Sequence, residues 1–577
     1  MEDKELLAML EAYDLEAQPA HDLWLKEARL DHRFYRGEQW EDEIKQQLID
    51  EHRPALTLNL IRSRVRSLVG YEQRSRYDMK AVPVAGGGDQ AKAGAVTGLI
   101  KQVESENESQ FIHSDMYRDG IIGGRGWVKI DVDTEHNLLG DITIETVPGD
   151  ELKIDPHTRR YDLLDSRYII REYECDEQDL ILLIPEKEKE IKNAGVAGAE
   201  STEHRPRKTV KEFWYRTNEK RWYFIDKQEE KVTPMDGKDD PEPNQAVMQD
   251  PERFSIVPKL TKVMKFAVKL DSEILQKGDS PFDHPYFPYI NYFAEFIREF
   301  DDLQPDTVGI VRDLRDPQRE KNKRRSQYLD KLQREIASGY MYEDGAILNK
   351  EPLSILARRP WFEIKILEGK FDKVKRLENA PIDSALLQLD QFSDKDFDDI
   401  SLITPAFLGQ TEGSRESGKA TAIRQQQGSM TVGPYQDNMR LTRRIMARVI
   451  LALIGQYYTV SRMARILTDE GNVQEVMMNP EEQQELQGMM ALTLDPEEIR
   501  KYDIVISETP TTPSLRTMQF FELMEMRQGA IPIPDEVVVK ASDVPYKDEI
   551  LAAIAAAKQQ QAELAQQVAQ SGAQGPR

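Results

Sequence analysis

Apolar and polar positions alternate most clearly over Asp306–Tyr458, and the rest of the chain reads as packing around that stretch. Residues 306–338 are expected to be helical, with Asp316 as N-cap, Pro317 at the first helical position and Gly339 as the stop. Tyr328, Leu332 and Ile336 recur every four residues and give its second half an apolar stripe. Residues 339–381 read as a short β unit. Asp344-Gly345 between apolar neighbours marks a hairpin over Met341–Leu348, Leu353–Ala357 a helical turn, and Phe362, Ile364 and Ile366 one face of a strand. A unit of about forty residues cannot bury a core alone, and a neighbouring copy of itself would serve as its partner. Residues 382–404 form a second helix, with Leu389, Phe392, Phe397, Ile400 and Ile403 as its apolar stripe and Pro405 as its end. After a polar loop, Gly409–Lys419, residues 420–460 read as a helix broken at Gly428, Gly433 and Pro434. Beyond the break, Met439, Ile445, Met446, Val449, Ile450, Leu453, Ile454 and Tyr457 keep helical spacing.

Elsewhere the pattern is mixed. Residues 1–80 read mostly as helix, and Leu58–Tyr71 places Leu60, Ile61, Val65, Leu68 and Val69 on one face. Gly86–Gly88 is a link, and Gln90–Glu106 a further helix. Gly120, Gly123, Gly124 and Gly126 free the backbone for a tight turn ahead of a strand. Strands at Trp127–Val132, Asp141–Val147 and Arg167–Tyr173 suggest an antiparallel sheet. Asp176–Asn193 is a helix interrupted by Pro185, and Gly195–Arg207 a linker. Strands Phe213–Tyr215 and Trp222–Ile225 flank a turn at Thr217-Asn218-Glu219; Lys231–Pro251 is a loop, and strands resume at Phe254–Val268 and His284–Tyr292. The aromatics interleaved with lysines here fit sheet packing better than a stacking platform for single-stranded nucleic acid. Past the long helix come a Gln/Glu/Met-rich segment (Asp469–Pro496), a strand (Asp503–Ser507), a helix (Pro513–Arg527) and an Ala/Gln-rich helix (Glu549–Gln570) near heptad spacing; the last residues are expected to be disordered.

Charge narrows the function. With 577 residues, several domains are expected. The chain has 78 Lys and Arg against 103 Asp and Glu, a net charge of −25, so it repels DNA except at local basic patches. One patch is Arg312–Arg334, which includes Arg315, Arg319, Lys323, Arg324 and Arg325 and by charge alone reads as a solvated basic helix. Another is Arg62, Arg64 and Arg66 with Arg74 and Arg76, which reads either as a nucleic-acid surface or, more in keeping with so acidic a chain, as a cluster that pairs with acids on a neighbouring chain. The single cysteine, Cys175, allows no internal disulfide and no multi-cysteine metal site. The opening residues are acidic where a signal peptide would be basic, and Ile445–Gly455 is too short to span a bilayer. Gly413–Ala420 is nearly a nucleotide-binding P-loop, but Ala420 stands where a magnesium-binding hydroxyl is needed and Thr421 comes one place late. No catalytic set, metal set or cofactor motif stands out: the eight histidines are scattered and the carboxylates form no distinguished pair.

A resemblance adds to this. The segments VRDLRDPQREKNKRRSQYLDKL (311–332) and ITPAFLGQTEGSRESGKATAIRQQQG (403–428) resemble the portal proteins of tailed bacteriophages, those of short-tailed phages of enteric bacteria above all. FYRGEQW (34–40), RPALTLNLIRSRVRSLVGYEQRSR (53–76), GIIGGRGWVKIDVD (120–133) and DELKIDP (150–156) resemble the same family in the same order, so the likeness covers nearly the whole chain.

The resemblance implies an α+β, mainly helical fold and a homo-oligomeric ring, most often a dodecamer, around a channel for double-stranded DNA at one capsid vertex. It places a wing at 1–305, stem helices at 306–338 and 382–404, a clip at 339–381, a tunnel loop at 405–419, a kinked helix at 420–460, a wing return and crown at 461–548 and a C-terminal helix and tail at 549–577. The crown is short for one that carries a helical barrel. The tunnel loop would bring Gln410, Thr411, Glu412, Ser414, Arg415, Glu416 and Lys419 to the DNA, and Asp390, Asp394, Asp398 and Asp399 are candidates for an acidic lining. The implied partners are the terminase large subunit, which carries the ATPase, the major capsid and scaffolding proteins, and head-tail adaptor and tail proteins. Assembly would take place in the host bacterial cytoplasm, and no membrane and no cofactor are implied. A P-loop nucleotide triphosphatase and a non-enzymatic nucleic-acid-binding module are the competing classes. ATP hydrolysis would mark the first, and a steeply salt-dependent DNA affinity the second.

Overall fold

The computed structural model describes residues 3–74, 76–83, 90–134, 137, 140–196, 205–227, 231–235, 241–251, 253–298, 306–336, 340–349, 363–376, 384–401, 403, 430, 432–458, 462–467, 473–478, 492–494, 502–510, 513–529, 532–542, 550–551 and 553–558. They form a mainly helical α+β chain of two compact units. One comprises Met1–Ser67, Asp115–Lys129 and Glu145–Met439; the other comprises Leu68–Ser114, Ile130–Ile144 and Arg440–Arg577.

The first unit is built on an antiparallel sheet. Its strands run in the order Leu152–Ile154, Tyr168–Asp176, Arg207–Asp226, Phe254–Leu270 and Glu273–Asp279, and Lys231–Met235 pairs with the far half of Arg207–Asp226. The N-terminal helix Asp3–Arg36 lies on one face, where Leu6, Leu10 and Ala17 pack with Tyr168, Phe213, Tyr215 and Ala267. The period of two sends Val210 to the opposite face, where it meets Leu180 and Ile191 of the short helices Glu177–Leu183 and Glu188–Asn193. The aromatics of this region are core, with Phe213, Trp214 and Tyr215 buried.

Several expectations change here. Arg207–Asp226 is one 20-residue strand with no turn at Thr217-Asn218-Glu219. Phe254–Leu270 pairs with it throughout, Asn218 opposite Lys262, and that ladder outweighs the turn propensity of three polar residues. The supposed loop after Lys231 contains the strand Lys231–Met235 and the helix Pro241–Gln249, and the strand Glu273–Asp279 had no clear signal. Of the glycine cluster, Gly120 and Gly123 lie in the helix Ser109–Gly123, and only Gly124 turns the chain, at φ +88°. Gly126 serves close approach instead: a Cβ there would stand 1.9 Å from the Met116 carbonyl oxygen.

The basic helix is Ile310–Ile336, seven residues longer at its start than an N-cap at Asp316 and a first helical residue at Pro317 suggested. Ile310, Val311 and Leu314 are buried, and this burial holds the turn ahead of Pro317 in the helix. Asp306–Val308, expected to be helical, is a strand paired with Glu295–Ile297. Asp344-Gly345 does form a turn, with Gly345 at φ +73°, but not a local hairpin. Tyr340–Tyr342 pairs with Val374–Arg376 and Ile347 bridges to Ile366, so the pairing is long-range. Leu353–Ala357 and Phe362 fall outside the described residues.

In the second unit the helix Gln90–Glu106 buries Val96, Leu99, Ile100 and Val103. Tyr77–Pro83 is a strand, not helix, and pairs antiparallel with Tyr502–Pro510. The Met-rich segment contributes Val473–Met478 and Leu492–Leu494 to a three-stranded sheet with Arg462–Leu467. The apolar helix is Gly433–Tyr457, and beyond Met439 it buries Ile445, Met446, Val449, Ile450, Leu453 and Ile454 as its spacing predicts. Gly433 and Pro434 open this helix after the turn at Val432, where a proline in the first turn forfeits no hydrogen bond. Gly428 lies outside the described residues. The helices Pro513–Gln528 and Asp535–Ala541 follow, and 553–558 are helical. No described helix is long and apolar enough to cross a membrane.

Candidate functional site: the basic and acidic helices

The basic helix Ile310–Ile336 packs on three sides, two of them through its charge. Towards the N-terminal helix, Arg315 pairs with Glu27 at 2.5 Å and approaches Asp31 at 3.3 Å. Arg312 lies 3.6 Å from Asp31 and 2.9 Å from Asp306. Asp31 is fully buried, and burial pushes its carboxyl up to about 7 although both arginines pull it down. Arg319 sits over the Phe34 ring at 4.9 Å and pairs with Asp316.

A second side holds an extended segment through side-chain amides and a hydroxyl. Gln318, Asn322 and Ser326, all buried, accept hydrogen bonds from the backbone N–H groups of Leu60 (3.1 Å), Leu58 (2.9 Å) and Leu56 (2.9 Å). Gln318 Nε2 also donates to the Leu58 carbonyl at 2.6 Å. Four helical residues rise about 6 Å and two extended residues about 6.6 Å, so the spacings match and the helix face acts as a neighbouring strand would. Sequence reasoning missed this device; its signal was a polar residue at every fourth place on a helix.

The third side meets the acidic helix Ser384–Ser401. Lys321, almost wholly buried, lies 2.8 Å from Asp390 and 2.5 Å from Asp394, and Arg325 lies 3.1 Å from Asp390. Arg64, from the helix Leu60–Arg74, pairs with Asp398 and lies over the buried Phe397 ring at 5.9 Å. Burial raises the Asp398 carboxyl and Arg64 opposes the rise. Asp390, Asp394 and Asp398 are therefore tied into the helix packing, while Asp399 is exposed and has no ion-pair partner among the described residues. Of the basic candidates, Arg315, Arg319, Arg324 and Arg325 are paired, Arg324 with Glu320 at 3.2 Å. Lys323 is exposed, without an ion pair among the described residues. The reading of a merely solvated helix is corrected in part: Arg312, Arg315 and Lys321 are turned inward into ion pairs, while Arg319 and Lys323 stay exposed.

The arginine cluster also differs from its expectation. Arg64 pairs within the chain, Arg76 pairs with Glu72 at 2.7 Å, and Arg62 donates to the carbonyls of Tyr35 and Arg36 at 3.1 and 2.7 Å. Arg66 and Arg74 remain exposed. The apolar stripe of the acidic helix is only partly covered: Phe397 and Ile403 are buried, but Leu389, Phe392 and Ile400 are exposed. The tunnel-loop residues Gln410, Thr411, Glu412, Ser414, Arg415, Glu416 and Lys419, and with them the P-loop-like Gly413–Ala420, lie outside the described residues. Among the described residues no group of His, Cys, Asp and Glu is placed to hold a metal ion.

The site is thus a set of helices interlocked by ion pairs, with Leu389, Phe392 and Ile400 of the acidic one exposed. The family of phage P22-like portal proteins matches residues 10–577, and the chain belongs to that family. No curated protein matches it. It is a structural portal protein for DNA packaging, of a family that forms an oligomeric ring at the capsid vertex through which viral DNA passes.

Proposed function

We propose that twelve copies of this chain form the ring and that DNA enters and leaves the capsid through its centre. Ile310–Ile336 and Ser384–Ser401 are its stem helices, 339–381 the clip and 405–419 the tunnel loop, with the wing at 1–305 and its return and the crown at 461–548. The observation that carries this reading is the ion-paired couple of basic and acidic helices, inside a family match that spans nearly the whole chain. Lys321 and Arg325 neutralise the inner carboxylates, and the net −25 leaves the surface acidic. An acidic wall repels phosphate and keeps the barrier to sliding low. Of the lining candidates, Asp399 is the one best placed to meet DNA, and Arg415 and Lys419 make transient backbone contacts. The protein needs no active site: the terminase large subunit supplies ATP hydrolysis and docks on the ring, as do scaffolding, capsid and head-tail adaptor proteins. Assembly takes place in the host bacterial cytoplasm. Electron microscopy of the purified chain tests the reading, with rings around a central hole as the expected result. Monomers alone at high concentration, with and without scaffolding protein, would overturn it.

A further inference from the structure

Two surfaces of the first unit are left without a partner among the described residues. The acidic helix exposes Leu389 at 41%, Phe392 at 61% and Ile400 at 41%, with the exposed Asp396 among them. Measured round the helix from Asp398, which faces Arg64, these four positions fall roughly 120–200° away, on the opposite side. The second surface is on the helix Leu60–Arg74. Arg66 stands two residues, about 200°, from Arg64 and so points away from the acidic helix. It is exposed, no described residue pairs with it, and Asn59, Arg62, Ser63 and Ser67 surround it with no acid among them.

We propose that these surfaces meet between neighbouring copies: Arg66 of one copy docks on Phe392 and Asp396 of the next. This assignment rests on the ring reading above and names the contact that closes the ring. The two patches are unlike, opposite in charge and on opposite flanks of one helix pair. A head-to-tail contact that repeats round an axis requires two different, mutually complementary patches of this kind. The chain already uses this chemistry internally, where Arg64 lies over Phe397 and pairs with Asp398. Phe392 and Asp396, four residues apart on one face, offer the next copy's arginine the same ring and carboxylate. The contact also covers apolar side chains that the lone chain leaves in water.

The test uses the full-length chain and charge reversal at each surface, read by sedimentation and electron microscopy. Arg66→Glu and Asp396→Arg are each expected to raise the concentration needed for rings at least about tenfold. Neither residue is buried, and neither is paired among the described residues, so the melting temperature of the monomer should not move. The combined R66E/D396R variant restores the opposite charges at every contact and should recover rings at the wild-type concentration. Rings from either single variant at that concentration would overturn the assignment and leave the ring reading intact. So would two well-folded single variants whose combination fails to assemble. A wild-type chain that forms no rings removes the ring reading and this contact with it.

Discussion

Asn322 shows how much a single residue holds. Its side-chain oxygen accepts from the Leu58 N–H and from Gln318, and its amide donates to Gln39 at 2.7 Å. Asn322→Ala leaves a backbone donor without a partner and should lower unfolding stability by roughly 1–3 kcal/mol, measurable by denaturant titration. Asp31 gives a pH signature. Its folded value of about 7 lies above the ordinary 3.8, so between those values the folded state holds the extra proton. Stability from this group is therefore greatest at low pH, falls as pH rises from about 4 to about 7, and is level above that. Asp31→Asn should flatten that fall, and melting temperatures of both proteins at pH 5 and pH 8 check it. Neither role is visible in the residue types. Asn322 sits in a run of charge that suggests solvent, and Asp31 in a helix with many other acids; only burial distinguishes them.

At the scale of elements, the two phenylalanines of the acidic helix separate packing from assembly. Phe397 is buried against the rest of its unit, and Phe397→Ala should cost roughly 3–5 kcal/mol. Phe392 is exposed, so Phe392→Ala should leave the melting of the monomer unchanged within about 0.5 kcal/mol. Equal losses from both in denaturant titrations of monomer would contradict the placement. Their spacing makes them one stripe, and the sequence alone has no means of saying which part of it a second helix covers. Helices with strong periodicity, Gln90–Glu106 and the buried half of Gly433–Tyr457, were legible because a repeat of 3.6 needs only its own residues. Tyr340–Tyr342 and Tyr77–Pro83 were not, because each finds its strand partner far along the chain.

For the whole molecule, the prediction concerns passage of DNA. Replacing Arg415 and Lys419 together with Glu puts repulsion where the tunnel loop is proposed to meet the backbone. Rings and empty procapsids should form normally while DNA packaging slows or aborts. Packaging at the wild-type rate would remove the loop from the channel, and failed assembly would make 409–419 an interface element. The same substitutions should have little effect on stability, since Gly409–Lys419 has no apolar side chain to bury.

The sequence by itself determined the family, because ordered motifs along nearly the whole chain suffice for that, and the helices whose apolar repeat is local. It determined too that the surface is acidic, since net charge is a sum over residues. The tertiary structure alone decided where that charge goes. Lys321 is buried between Asp390 and Asp394, Arg64 turns to Asp398, and Arg66 two residues on is left facing out. Composition treats these cations alike. Their roles diverge because ion pairing and burial depend on distances between segments far apart in the chain, and only the packed fold sets those distances.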